Sequence, residues 1–209
     1  MKKLETPYTF KTVKEAVKAF DDLLNSKKEL DENADILPFF KQYPALILGM
    51  SRLVGMSHIP IDALELNFQL SENQMCDIAF GSSLKNTYCL VKFKDAKKNS
   101  LFSGLETYRA FSTDFEKGNS QVIDWLWKID SRRNREDVEG RFACKNPTIS
   151  TALIIGRSEF LNVEERDRLV WREEKTWVNS NKIHYITYDD LLECFKSLIK
   201  ERENNRLLV

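Results

Sequence analysis

ALELNFQLSENQMCDIAFGSSLKNTYCLVKFK, residues 63–94, is where the chain changes its hydrophobic period. Leu64, Leu66, Phe68 and Leu70 alternate with Glu65, Asn67 and Gln69. Residues two apart share a face of a strand, so this spacing predicts a half-buried strand with those four side chains inward. Met75–Phe80 reads as a second strand, Gly81–Asn86 as a turn of small polar residues and Thr87–Lys94 as a third strand. Together the three predict a meander.

On the N-terminal side the period is helical. Val13, Ala16, Val17, Phe20, Leu23 and Leu24 recur at helical spacing, and Thr12 with Glu15 reads as a capping box. A second helix is expected over Ala34–Arg52, with Phe39, Phe40, Leu46 and Leu48 inward and an irregularity before Pro44. Ser57-His58-Ile59-Pro60 ends that pattern. On the C-terminal side, Asp114–Ile129 and Asn162–Arg172 read as helices, Ser150–Ile155 as a strand buried on both faces, Lys182–Thr187 as a last strand and Asp189–Lys200 as a last helix. Strands followed by alternating helices predict an α/β (α+β) fold, a mixed central sheet flanked by helices. A helical N-terminal segment, residues 1–56, would pack on an α/β core, residues 57–209, in one compact domain.

Composition excludes several classes. Of 209 residues, 32 are Lys or Arg and 32 are Asp or Glu, so the formal net charge is zero and nucleic-acid binding requires a local patch. A hydrophobic fraction of 42% is too high for a disordered chain. The apolar runs are too short to span a membrane, and no apolar stretch follows the basic start, so no secretory signal is read. Cys76, Cys89, Cys144 and Cys194 form no C-x-x-C pair and suit neither a zinc site nor a disulfide scaffold. Cys76 and Cys89 lie in strand-like runs as small buried hydrophobes. A cytoplasmic location is the expectation. His58 and His184 are the only histidines, which excludes a two-His zinc protease. No G-x-S-x-G, P-loop or G-x-G-x-x-G is present.

One constellation remains. Asp77 lies in the second strand, and Lys92 and Lys94 project from one face of the third. If the strands pair, Asp77 lies beside that face. An acid on one strand and x-acid-x-Lys on the next is the pattern of metal-dependent nucleases of the PD-(D/E)XK superfold. There carboxylates hold Mg²⁺, and the lysine orients the attacking water and stabilises the developing phosphorane charge. The spacing alone favours the plainer reading, a solvated strand face.

Over residues 35–193 the sequence resembles the Shedu family of bacterial antiphage nucleases. The matching elements run in order. Phe39-Phe40-Lys41-Gln42-Tyr43-Pro44-Ala45-Leu46-Ile47 resembles the family's helix leading into a proline. Asp77 falls on its D-[FIL] strand and Val91-Lys92-Phe93-Lys94 on its V-E-[IL]-K. Tyr108-Arg109-Ala110-Phe111-Ser112, then Gln121-Val122-Ile123-Asp124-Trp125, resemble its Y-R…Q-[IVL]-x-x-[WY] helix. Leu153-Ile154-Ile155-Gly156-Arg157 and Ile183-His184-Tyr185-Ile186-Thr187-Tyr188-Asp189-Asp190-Leu191-Leu192 resemble its closing I-I-G-R and T-Y-D-[DE]-L-L elements. The resemblance implies a DNA endonuclease with Mg²⁺, Asp77 as metal ligand, Lys94 as catalytic lysine, Gln121 as helper and a homo-oligomeric assembly.

One position departs from the family. Lys92 stands where the resemblance implies a metal-binding glutamate. Two unit charges ~4 Å apart at an effective dielectric of ~20 interact by about 4 kcal/mol, and a divalent ion doubles the repulsion. Three readings stay open: a non-cleaving relative; an acid that has migrated, with Glu65 or Glu106 as candidates; or an introduced inactivating change. The rival to an impaired endonuclease is a catalytically inactive nuclease-fold module for nucleic-acid binding or assembly. Lys85, Lys92, Lys94, Lys97 and Lys98 face only Asp95 within their stretch, and Arg132, Arg133 and Arg135 follow the Gln121 helix, so Lys85, Lys97, Lys98, Arg132 and Arg133 are candidate phosphate contacts.

Overall fold

A computed structural model describes residues 1, 4, 8–105, 107–131, 135–142, 144 and 146–206. Glu106, Arg132 and Arg133 lie outside the described residues. The first helix, α1 (Phe10–Ser26), starts three residues earlier than the capping-box reading. Its cap is Thr9, whose hydroxyl accepts the Thr12 N–H at 3.2 Å, so Thr12 is already inside the first turn. The expected second helix is three pieces: a π-helical turn at Glu32–Ile36, then α2 (Leu37–Gln42) and α3 (Ala45–Met50). The break falls at Tyr43, before Pro44, because proline clashes with a helical residue ahead of it.

Strands β1 (Ala63–Ser71), β2 (Gln74–Ser82) and β3 (Thr87–Phe93) form the antiparallel meander. A two-stranded ribbon not read from the sequence follows, β4 (Phe102–Leu105) and β5 (Tyr108–Phe111). Then come α4 (Thr113–Asp130), α5 (Arg135–Phe142), β6 (Thr148–Ile154), α6 (Val163–Lys175), the short edge strand β7 (Trp177–Val178), β8 (Asn181–Ile186) and α7 (Tyr188–Arg206). The six-stranded sheet runs β1-β2-β3-β6-β8-β7. The β3–β6 and β6–β8 pairs are parallel, so the sheet is mixed, as expected.

Two apolar layers cover it. On one face α1, α2, α3 and α7 bury Phe20, Phe40, Leu46 and Phe195 against Phe80, Val91 and Phe93. On the other, α4, α5 and α6 bury Phe115, Val122, Trp125, Phe142 and Leu169 against Tyr88, Leu90, Leu153 and Tyr185. Phe40 stacks on Phe93 at 4.6 Å between ring centroids, and this holds the N-terminal helices to the central strand.

The first strand departs from simple alternation. Leu64 and Leu66 pack into the first layer, whereas Phe68 and Leu70 belong to the second. The switch is at Asn67, whose φ is 52°, a left-handed conformation in which asparagine is the least strained residue after glycine. The paired strand switches at the same level, with Cys76 in one layer and Ile78 in the other. Asp77 is the residue between them, and it lines a small cavity with Leu37, Phe40, Leu66, Ile78 and Phe93 at the edge of the first layer.

Gly118 lets α4 lie close to the sheet. A Cβ there would meet Leu153 Cδ1 at 2.7 Å and Lys94 Cγ at 3.4 Å. The Gly118→Val substitution is therefore expected to destabilise the fold by about 2 kcal/mol, because overpacking and a β-branched side chain in a helix act together. A lowered urea midpoint with unchanged slope is the expected measurement.

Candidate active site

The β2–β3 ladder stops at Ile78–Val91, one residue short of Asp77 and Lys92. Beyond that point the Asp77 side chain does the ladder's work, accepting the Phe93 N–H at 2.7 Å. The Lys92 ammonium donates to both Asp77 oxygens, at 2.9 and 3.1 Å. It also donates to Glu32 Oε1 at 2.7 Å. The other Glu32 oxygen lies 3.7 Å from Lys94 Nζ. Two carboxylates and two ammonium groups thus alternate, and the Lys92 and Asp77 side chains are each only 10% exposed. Burial by itself would depress the Lys92 ammonium. The Asp77 charge and the hydrogen bonds to Glu32 and Asp77 outweigh burial and hold its pKa above the ordinary lysine value.

Glu32 was not found from the sequence. It sits in the π-helical turn, 60 residues before Lys92. What brings it there is the bridge between Leu30 and Ala96, with backbone bonds of 2.9 and 3.4 Å, and the Glu32 N–H donated to Asp95 Oδ1 at 2.7 Å. The acidic run Asp31-Glu32 was a signal of charge but not of destination. Of the acids proposed as migrated, Glu65 lies on β1 opposite Ala79 and not opposite Asp77. Glu106 is outside the described residues.

Lys94 is held by its backbone. Its N–H donates to Ile154 O at 2.9 Å, and its carbonyl accepts the buried Tyr188 hydroxyl at 2.7 Å. Gln121 is exposed on α4 and lines an open groove with Lys94, Thr113, Glu116, Lys117 and Ser120. Asp77 is not part of that groove; Lys94 is the residue common to it and the ion-pair cluster. Tyr185 donates to Asn119 Oδ1 at 2.7 Å and ties α4 to β8 beside this groove.

The lysine-rich stretch does not form one face. Lys92 and Lys94 are paired as described, and Lys97 binds Asp95 at 2.5 Å and Asp31 at 3.0 Å. The Lys97 hydrogen bond, with two backbone N–H groups, holds the Asp31 carboxyl at a pKa of about 2. Lys85 is exposed at the opposite end of β3, about 20 Å from Lys92 at ~3.3 Å per residue. Lys98 is exposed near the site's end of the sheet. His184 is buried with Nδ1 3.2 Å from Glu173, and His58 is exposed. Cys76 and Cys89 are buried, and burial pushes the Cys89 thiol up to about 12, so both are unreactive packing residues.

The family model described as Shedu protein SduA, C-terminal, matches residues 29–192. The chain belongs to the Shedu family. A comparison with curated proteins found no match. The matched span of this antiphage defence family opens just before Glu32 and closes at Leu192 on α7, so it takes in Asp77, Lys92, Lys94 and Gln121. In this Shedu chain, no described helix is long and apolar enough to cross a membrane.

Breaking the cluster has a calculable cost. Lys92→Met leaves Asp77 and Glu32 without their shared cation, and removing one partner of a buried pair costs about 3–5 kcal/mol. Because Lys92 is held above the ordinary lysine value, its contribution is complete below ~10.4 and is lost as pH rises through its higher folded value. The stability gap between parent and Lys92→Met is expected to stay level from neutral pH to about pH 10 and to narrow above it. Urea unfolding across that range measures it.

Proposed function

We propose that this chain is a DNA-facing PD-(D/E)XK nuclease-type domain of an antiphage system whose cleavage site is impaired. The observation that supports it is the Lys92 ammonium, 2.7–3.1 Å from three carboxylate oxygens of Asp77 and Glu32. Those oxygens are the donors a divalent cation would need. A lysine that stays protonated occupies their common point, so the residues as arranged do not fit Mg²⁺. Among the described residues no group of three or more acidic, histidine or cysteine side chains could hold a metal.

The remaining parts keep roles they can perform without a metal. Lys94, 3.7 Å from Glu32, lies where the ion-pair cluster meets the groove. Gln121 supplies an amide on the same groove wall. Lys92 fills the space between Asp77 and Glu32 and leaves no open donors for a cation, which favours the second reading, a nuclease-fold module that binds nucleic acid or supports assembly without cutting it.

Cleavage assays on plasmid and linear DNA with Mg²⁺ or Mn²⁺ separate these. The parent chain is expected to show little or no metal-dependent cleavage. Lys92→Glu puts a third carboxylate beside Asp77 and Glu32, and its thermal stability is expected to rise on adding Mn²⁺ while the parent's does not. Cleavage gained only by Lys92→Glu supports an intact but blocked site. Robust cleavage by the parent that is lost in Asp77→Ala overturns the impaired-site reading. DNA binding by both proteins, with cleavage by neither, favours the non-cutting module.

A further inference from the structure

The contact between Lys92 and Asp77 has a geometry that an ion pair does not require. Lys92 Nζ is nearly equidistant from the two Asp77 oxygens, at 2.9 and 3.1 Å. A nitrogen shared between both oxygens faces the carboxyl carbon. Carboxyl geometry then places Nζ no more than about 3.4 Å from Cγ, inside the near-attack range of about 3–3.5 Å.

The groups around this contact are those that an amide-forming condensation uses. The Phe93 N–H donates to Asp77 Oδ2 at 2.7 Å, a fixed backbone donor on an oxygen that gains charge when a nucleophile adds to Cγ. Glu32 Oε1 accepts from Lys92 Nζ at 2.7 Å, so a carboxylate stands on the nitrogen in position to take a proton from it. Lys94 Nζ lies 3.7 Å from the other Glu32 oxygen and helps to hold that side chain in place.

The surroundings are dry. Leu37, Phe40, Leu66, Ile78 and Phe93 wall Asp77, and the cavity they leave is about 10 Å³, about the room one water needs. Two charges taken out of water carry a desolvation penalty that a neutral amide does not. The backbone ladder between β2 and β3 ends at Ile78–Val91, so a bond between residues 77 and 92 would continue the pairing through side chains.

We propose that Lys92 and Asp77 condense into an intramolecular isopeptide bond, Nζ to Cγ, with Glu32 as the proton carrier. The step balances within the cluster. One ammonium proton passes to Asp77 Oδ1, leaving a neutral amine and a neutral acid. Nζ adds to Cγ, and negative charge gathers on Oδ2 beneath the Phe93 N–H. Glu32 takes a second proton from the nitrogen and returns it to Oδ1, which departs as water while the carbonyl re-forms on Oδ2. An ammonium and a carboxylate become an amide and one water, and no oxidant or other reactant is consumed. Burial by itself favours the free amine, but the Asp77 charge and the bonds to Glu32 and Asp77 keep Lys92 protonated. The neutral pair is therefore a minor state and the bond forms slowly: freshly folded protein carries the ion pair, and aged protein carries the amide. The inference rests on the cluster alone and stands whether or not the chain binds DNA.

The test is the intact mass of the full chain, fresh and after prolonged incubation folded in neutral buffer. The parent is expected to lose the mass of one water. Trypsin is expected to stop cutting after Lys92 and to release a branched peptide joining the segments that carry Asp77 and Lys92. Asp77→Asn is expected to lose ammonia instead, so that it and the parent converge on one product mass. Lys92→Arg keeps the cation without the nucleophilic amine and is expected to keep its full mass. Glu32→Gln keeps a hydrogen-bond acceptor that cannot carry the proton, and is expected to form the bond about 100-fold more slowly. Circular dichroism checks that each protein is folded. An unchanged mass in folded, aged parent protein overturns the proposal. Water loss that persists in Lys92→Arg, or that maps to a linear peptide as a succinimide does, overturns it as well. Equal rates in Glu32→Gln and the parent overturn the part given to Glu32.

Discussion

The Lys92 ammonium, shared between Asp77 and Glu32, is the interaction on which the site's end of the molecule depends. It joins three separate parts of the chain: the π-helical turn after α1, the middle of β2 and the end of β3. Each partner is mostly buried, so each would be costly alone. Together they offset one another's charge, and the polar end of the sheet closes without a metal. The cation between the carboxylates is a monovalent ammonium on a covalent tether.

That exchange changes what the site can do more than how it is built. The strand switch at Asn67 and Asp77, the Tyr188 hydroxyl on the Lys94 carbonyl and the closeness of α4 at Gly118 all persist. These features aim side chains at one end of the sheet whichever residue stands at position 92. Arg157 adds a further tie. Its Nε lies 2.9 and 3.1 Å from the Asp189 carboxylate, and its guanidinium reaches Leu24 O at 3.1 Å, so α1, the end of β6 and the start of α7 are locked together. Gly156 precedes it with φ of 68° and with Leu101 packed where a side chain would project, which only glycine accommodates.

Position 92 also sets the character of the nearby surface. The acidic segment Asp31–Asp35 neutralises Lys92, Lys94, Lys97 and Lys27. Lysines that look in sequence like a continuous phosphate-binding run are mostly committed to internal partners. Among the described residues, Lys41, Lys98 and Lys117 are exposed cations at this end that stand outside that network.

The sequence by itself determined the mixed sheet, the order of its main elements and the pairing that brings Asp77 beside Lys92. Those follow from period-two and period-3.6 patterns and a short turn, all of them local. It also marked Lys92 as the departure, because residue type and motif position need no coordinates. Only the tertiary structure decided which carboxylate completes the cluster. Glu32 arrives through the Leu30–Ala96 bridge, a long-range pairing that leaves no periodic trace. The ribbon was illegible for a related reason: four-residue strands with one buried face carry too few alternations to register, and their support comes from Arg168 and Glu165 on a distant helix. The face switch at Asn67 was hidden because an asparagine in an alternating run reads as a solvent-facing residue, and its left-handed backbone appears only when both layers of the core claim opposite halves of the strand.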